Sequence, residues 1–358
     1  MEKAFSTAIR RLPSTQIYLV QMNFSTSIPR RDQLILEGLN EEVQGILPTL
    51  YIFVFIVGLV ANGWGLKSLL HNWKKLGDVN VFVFNLGLAD MLYLLTLPFL
   101  VVYYVKENTW IFGDKFCKVT RFCFNLNLYC SIGFLTCISV YRYLAIVHPM
   151  RVMGRLTVTH SVIISVLVWI LVGVQSLPDM FFPKRFGKQA KCYDSTSLEH
   201  MEDYLKYSLG RTLTGFCIPL LITLGCYGHM ICVLCSRTTI DKVLKQRSLR
   251  FLLILILLFS VCYTPHHVFK NLSLYSRVLV KQNICKDWDS AVFNAHQISR
   301  GLVSLNSALN PLVYLHVQED ISAQFRQLLQ RVEVIFHRMF ESKSFSEAVA
   351  QTDEDDDV

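Results

Sequence analysis

The sequence predicts an all-α membrane protein: a seven-transmembrane helix bundle followed by a short amphipathic helix. Three observations predict it. Hydrophobic residues make up 52% of the 358 residues and charged residues only 17%, against about 25% charge in soluble domains. Mean hydropathy is +0.37, which argues against disorder and against an ordinary soluble enzyme. Seven runs are nearly free of charge, and each matches the ~20 residues a helix needs to cross a bilayer. Strand-like alternation is absent, and lipid admits only helices or closed barrels. The net charge of +8 suits a membrane surface or an anionic ligand as readily as nucleic acid. No nucleic-acid motif is present.

Residues 1–45 read as an extracellular N-terminal segment. Their apolar stretch, Ile17 to Val20, is too short for a signal-peptide core, so the first helix is expected to act as an uncleaved anchor. Asn23 opens a glycosylation sequon, and Asn271 opens a second beside the membrane. The membrane domain is expected over 46–316. Residues 46–66, 122–141, 156–178, 212–236 and 251–269 contain no Asp, Glu, Lys or Arg. Residues 79–105 contain only Asp90, and residues 290–318 only Arg300. With the N-terminus outside, the inner loops carry ten Lys and Arg in 36 residues and the outer loops twelve in 66. That bias fits the positive-inside rule. Residues 317–340 alternate apolar and basic positions, as in a helix lying on the inner leaflet. Residues 341–358 end in an acidic run and read as a cytoplasmic tail.

The eleven cysteines are too few for a disulfide scaffold in a chain of this length. Cys117 and Cys192 both fall on the outer side, where disulfides survive. Cys285 lies on the same side and has no cysteine before Cys117 to join it. Cys232 and Cys235 lack the second ligand pair that a zinc site needs.

Two groups of polar residues inside the spans call for an explanation, because intramembrane charge is costly. Asp90 sits mid-span 2. Asn127 and Ser131 share one helix face, and so do Asn306 and Asn310. These oxygens suit either a small hard cation such as sodium or an interhelical hydrogen-bond network. The second group lies near the outer boundary: Arg121 in span 3, Lys270 ending span 6, and Arg300 in span 7. Gln297 shares the Arg300 face and His267 the Lys270 face, while Tyr103 and Tyr104 close span 2. Three converging cations suit a phosphate or a carboxylate. Snorkelling to headgroups would also account for Arg121 and Lys270, and Arg300 could pair with Asp194. His266 and His267 are adjacent, so they point about 100° apart and cannot face one ion together. Pro98, Pro219, Pro265 and Pro311 are expected to kink their helices.

Taken in order, these residues resemble the rhodopsin-like class of G-protein-coupled receptors over roughly residues 46–330. The resemblance rests on Asn62 in span 1, Leu86-Gly87-Leu88-Ala89-Asp90 in span 2 and Trp110-Ile111-Phe112-Gly113 before Cys117. Trp169, Pro219, Tyr227 and Asn310-Pro311-Leu312-Val313-Tyr314 complete it. Two motifs depart from the class pattern. Tyr141 stands where an acid usually precedes Arg142, and Tyr263 replaces the tryptophan of the span 6 motif above Phe259. Within the class the chain is similar to purinergic receptors for extracellular nucleotides, particularly the ADP-responsive subtype. That likeness rests on Thr109 to Asp114, Cys192-Tyr193-Asp194, His267-Val268-Phe269-Lys270 and Gln297-Ile298-Ser299-Arg300-Gly301-Leu302.

The resemblance implies a non-enzymatic plasma-membrane receptor with a Cys117–Cys192 disulfide. Arg121, Lys270 and Arg300 would neutralise phosphates, and Tyr103, His267, Gln297 and Asp194 would line the site. Asp90, Asn127, Ser131, Asn306 and Asn310 would hold an allosteric sodium ion, the one cofactor expected. Arg142, Tyr227, Phe259, Tyr263, Pro265 and Tyr314 would form the switch. The expected partners are a nucleotide, a heterotrimeric G protein of the Gq type acting through phospholipase C and calcium, arrestin on a phosphorylated tail, and the lipid bilayer. A dicarboxylate receptor and, from another class, a proton-coupled transporter or a light-driven pump are the competing readings. Internal repeats typical of transporters are absent, and span 7 carries an arginine where a retinal pump wants a lysine.

Overall fold

A charge-free run in a bilayer must satisfy its own backbone, and the described residues of each run do so in helices. The computed structural model describes residues 30–71, 77–152, 157–184, 191–236, 246, 250, 253–282, 284 and 288–311. Span 1 is the helix Arg30–His71, span 2 the helices Asp78–Leu94 and Leu97–Val105, and span 3 Gly113–Val147. Span 4 comprises Val158–Ser176 and Pro178–Phe181. Span 5 runs from Met201 to Ser236, span 6 from Leu253 to Lys281, and span 7 is Asp289–Leu309. Six of these spans are long and apolar enough to cross a membrane, while span 7 is more polar. No strand occurs among the described residues. Asn23, Cys285, Tyr314, the amphipathic stretch 317–340 and the acidic tail 341–358 lie outside them.

The helices overrun the apolar runs. Span 1 begins at Arg30, inside the segment expected to precede the membrane domain. Span 6 continues past Lys270 to Lys281, and span 5 already includes Met201–Thr212. Lys270 therefore sits within span 6 rather than ending it. Charge ends an apolar run without ending the helix, because backbone hydrogen bonds are satisfied equally well beyond the hydrocarbon. The loops at the disulfide end are correspondingly shorter than expected.

The bundle is turned inside out relative to a soluble protein. Val162, Val166, Ile170, Val174, Leu221 and Leu257 are exposed, while Asn62, Asp90, Ser131 and Asn310 are fully buried. Lipid is a good solvent for the first set, so the helices are joined partly by polar contacts. Asn62 Nδ2 donates to the Ser307 carbonyl at 2.8 Å, tying span 1 to span 7. Trp169 Nε1 donates to Asn85 Oδ1 at 2.9 Å, tying span 4 to span 2.

Three of the four prolines expected to kink their helices lie beside irregular helical stretches. Pro98 follows the break after Leu94, where the Thr96 hydroxyl donates to the Tyr93 carbonyl at 2.7 Å. Pro219 and Pro265 each follow a π-helical stretch, Leu213–Cys217 and Leu258–Tyr263. The wider turn absorbs the missing amide donor. At the second stretch the Thr264 hydroxyl donates to the Phe259 carbonyl at 2.8 Å.

Candidate functional site

The Cys117–Cys192 disulfide, with Cα atoms 5.7 Å apart, pins the loop after span 4 onto the start of span 3. This places Tyr193 and Asp194 over the bundle mouth. Arg121, 4% exposed, donates from Nη2 to the Cys192 carbonyl at 2.6 Å. It is fixed inward and does not snorkel. Arg300, also 4% exposed, donates from Nη1 to Gln297 Oε1 at 2.9 Å and lies 3.7 Å from Asp194 Oδ2. The pairing of Arg300 with Asp194 that the sequence allows is therefore present. His296 Nε2 sits 3.5 Å from the same oxygen. Burial alone would raise the Asp194 carboxyl. His296, Arg300, Arg121 and Arg277 outweigh it and hold the group well below the usual carboxylate range.

Lys270 is buried in span 6 and lies within electrostatic reach of Arg211, Asp179, Asp194 and Lys184. It lines a narrow cleft with Asp194, Arg277 and His296, and the cleft has room for about one water (≈ 10 Å³). Tyr103 packs edge-on against Trp110 with ring centroids 5.9 Å apart. His267 stacks on Phe216 at 4.3 Å and faces span 5. The expected ligand-binding residues thus divide: Arg121, Arg300, Gln297 and Asp194 meet at the mouth, Lys270 lies beside them, and His267 turns away.

Sequence reasoning missed a second buried cluster beside this one. Lys184 and Asp179 form an ion pair at 2.9 Å, with both side chains at most 1% exposed. Tyr204 donates to Asp179 Oδ1 at 2.7 Å, and Asn125 Nδ2 donates to Oδ2 at 3.1 Å. Burial pulls the Lys184 ammonium below its usual value against the attraction of Asp179. Arg211 lies nearby over the rings of Tyr129 and Tyr207. In the sequence Lys184 and Asp179 look like loop charges, and Arg211 stands one residue before the apolar run of span 5.

Deeper in the bundle, Asn127 Nδ2 donates to Asp90 Oδ1 at 2.7 Å, and Asn310 Nδ2 donates to Oδ2 at 2.9 Å. Ser307 donates to Asn127 Oδ1 at 3.1 Å. Asn306 instead donates to the Tyr263 hydroxyl. Ser131 Oγ, Asn306 Oδ1 and Asn310 Oδ1 are buried and make no hydrogen bond among the described residues. A carboxylate with three unsatisfied oxygens nearby fits a small hard cation. The five expected residues are thus gathered, with Ser307 and Tyr263 added to them.

Toward the opposite end, Tyr227 is buried within electrostatic reach of Arg142. Tyr141 packs edge-on against Phe82 at 4.8 Å and accepts from the Ser161 hydroxyl at 3.3 Å. Phe259 meets Tyr263 at 5.4 Å between ring centroids.

The family described as "7 transmembrane receptor (rhodopsin family)" matches residues 66–314. The chain is 40% identical to purinoceptor 1 of Rattus norvegicus, over 80% of this chain and 76% of that one. It is 41% identical to purinoceptor 1 of Gallus gallus, over 80% of this chain and 78% of that one. The chain belongs to the rhodopsin family of receptors, among its purinoceptors. Purinoceptor 4 of Xenopus laevis is more distant, at 36% identity over 75% of this chain and 51% of its own. The receptor is not an enzyme, and its seven helices span a membrane.

Proposed function

We propose that the receptor binds an extracellular nucleotide, with adenine nucleotides such as ADP or ATP favoured, at the disulfide end of the bundle. It then signals through a heterotrimeric G protein, of the Gq type, to phospholipase C and calcium. One observation carries the reading. Arg121, Lys184, Arg211, Lys270 and Arg300 are all buried, and Asp179 and Asp194 are the acids among them. Uncompensated buried charge is costly, so the site favours a ligand that brings several negative charges on a compact chain. A polyphosphate does so, and guanidinium forks match its oxygens. The kinship with purinoceptors supports the same ligand class.

The disulfide end faces outside, where oxidised cysteines persist, and the N-terminus lies on that side. The phosphates displace Asp194 from Arg300 and His296, and the loop that closes the cleft opens with it. Arg121 and Arg300 then hold phosphate oxygens, and Lys270 neutralises charge beside them. Tyr103, buried against Trp110 and Tyr104, would take the base against its ring once the mouth opens. Spans 3, 6 and 7 are thereby drawn together. Only affinity that differs between two packings can shift their balance, and the π-helical stretch before Pro265 gives span 6 its second packing.

Phe216 connects the ligand end to the switch. It stacks with His267 at 4.3 Å and with Phe259 at 6.4 Å. Phe259 meets Tyr263, which accepts from Asn306 beside Asp90. The residues around Asp90 would hold a sodium ion, which stabilises the inactive packing as a counter-charge. Arg142, Tyr227 and Tyr314 form the switch that meets the G protein, and arrestin is a further partner.

The test is calcium mobilisation in cells expressing the receptor, titrated with ADP, ATP, UDP, UTP, succinate and 2-oxoglutarate. A response led by an adenine nucleotide is expected. A response to the dicarboxylates and to no nucleotide would overturn the reading.

A further inference from the structure

Arg211 is 2% exposed, inside the bundle. Of its guanidinium nitrogens only Nη1 is engaged, donating to the Tyr207 hydroxyl at 3.3 Å. Nε and Nη2 are buried and make no hydrogen bond among the described residues. The guanidinium lies 5.2 Å from the Tyr129 ring centroid and 4.9 Å from that of Tyr207. Ring faces stabilise a cation but supply no countercharge and no acceptor for those N–H groups.

Asp179 attracts Arg211 but makes no hydrogen bond to it and is shared with Lys184. Asp179 Oδ1 already accepts from Lys184 and Tyr204, and Oδ2 accepts from Asn125. The cost of a buried guanidinium with unused donors is large. The local backbone nonetheless holds it in place. The π-helical stretch Leu213–Cys217 follows directly, and within it a side chain at Gly215 would fall 2.5 Å from Tyr129 Cδ1. Span 5 can approach span 3 this closely only with glycine there, and the approach sets Arg211 over Tyr129.

Lys270 links this position to the mouth. It lines the cleft with Asp194, the partner of Arg300, and also lies within electrostatic reach of Arg211. We infer that Arg211, reached past Lys270, is a subsite for the terminal phosphoryl group of a nucleoside triphosphate. This rests on the nucleotide reading above. A diphosphate is neutralised by Arg121, Arg300 and Lys270, whereas the third phosphoryl group extends to the unused Nε–H and Nη2–H donors. Arg211 therefore sets the preference between chain lengths and leaves recognition of the base unchanged.

Equilibrium binding to the full-length receptor in membranes tests this, with a γ-thio triphosphate and the β-thio diphosphate of one base as probes. The ratio of their affinities is read, so changes in expression cancel. Wild type should bind the triphosphate at least about tenfold tighter. Arg211→Gln should bring the ratio to near one, by weakening the triphosphate more than the diphosphate. Should Arg211→Gln fail to reach the membrane, Arg211→Lys carries the test. It keeps the charge but loses the fork, and should reduce the ratio several-fold. An unchanged ratio in either variant overturns the subsite, as does equal weakening of both ligands. If wild type binds both probes equally, the subsite falls while the nucleotide reading stands. If wild type binds neither, the nucleotide reading falls and takes the subsite with it.

Discussion

Asp194 Oδ2 lies 3.7 Å from Arg300 Nη1, so the loop after span 4 carries its own counter-anion into the proposed phosphate site. The same oxygen faces His296 Nε2 at 3.5 Å. The free receptor thus neutralises part of its cation excess with this carboxylate.

Replacing Asp194 should separate stability from affinity. Asp194→Asn leaves Arg300 without its counter-charge. Its side chain is 23% exposed, so solvent screens the loss and holds it to about 1 kcal/mol. The expected outcome is a lower melting temperature for the ligand-free receptor and a larger upward shift on adding nucleotide, read by thermal unfolding. An equal shift in both proteins would mean that Asp194 does not compete with the ligand.

The same residue gives a pH signature. Its folded carboxyl titrates well below the ordinary value near 3.8. Stability from Asp194 is therefore complete above that ordinary value and is lost as pH falls toward the folded one. Wild type should lose stability more steeply than Asp194→Asn below about pH 4. Parallel unfolding curves over that range would contradict the assignment.

Lys184 and Asp179 form the most deeply buried ion pair among the described residues, at 2.9 Å. Removing one member strands the other, at a cost of about 3–5 kcal/mol. Lys184→Met should sharply lower surface expression. The double change Lys184→Met with Asp179→Asn should recover part of it. Normal expression of the single variant would show that the pair is not needed for folding.

Tyr263 accepts from Asn306, which joins span 6 to span 7 beside Asp90. Tyr263→Phe removes the acceptor and leaves a buried amide unsatisfied, at about 1–2 kcal/mol. With that tie gone, basal nucleotide exchange on the G protein should rise. Unchanged basal exchange would remove Tyr263 from the switch.

Asp90 with Ser131, Asn306 and Asn310 should give sodium a measurable effect. Agonist affinity should fall with added sodium in wild type, and Asp90→Asn should abolish that dependence. Replacing sodium by an organic cation at constant ionic strength isolates the effect from screening. Equal sodium sensitivity in both proteins would exclude the site.

The bundle is legible in the sequence because a bilayer imposes length and polarity on each span, and Asp90 and Arg300 stand out as lone charges in long apolar runs. Arg121 and Lys270 are equally visible, although only their burial separates an inward-facing cation from a snorkelling one. The cluster around Asp179 is not legible. Lys184 and Asp179 lie in a stretch whose six basic residues and interspersed acids look like a solvated loop. Asp179 ends span 4, and the Tyr193 amide, donating to the Lys184 carbonyl at 3.0 Å beside Cys192, holds Lys184 inward against it; no local periodicity records that. His296 is silent for a different reason, since a neutral histidine does not interrupt an apolar run. Arg211 sits at a boundary drawn by charge, while the helix begins at Met201.

The central claim is that buried cations at the disulfide end hold the phosphates of a nucleotide. Equilibrium binding of ADP and ATP to the purified receptor, wild type beside Arg300→Ala, tests it most directly. The account predicts saturable nucleotide binding by wild type. It predicts a loss of about tenfold to a hundredfold in the variant, as for one charged hydrogen-bonding partner. Equal nucleotide affinity in the two folded proteins would contradict it.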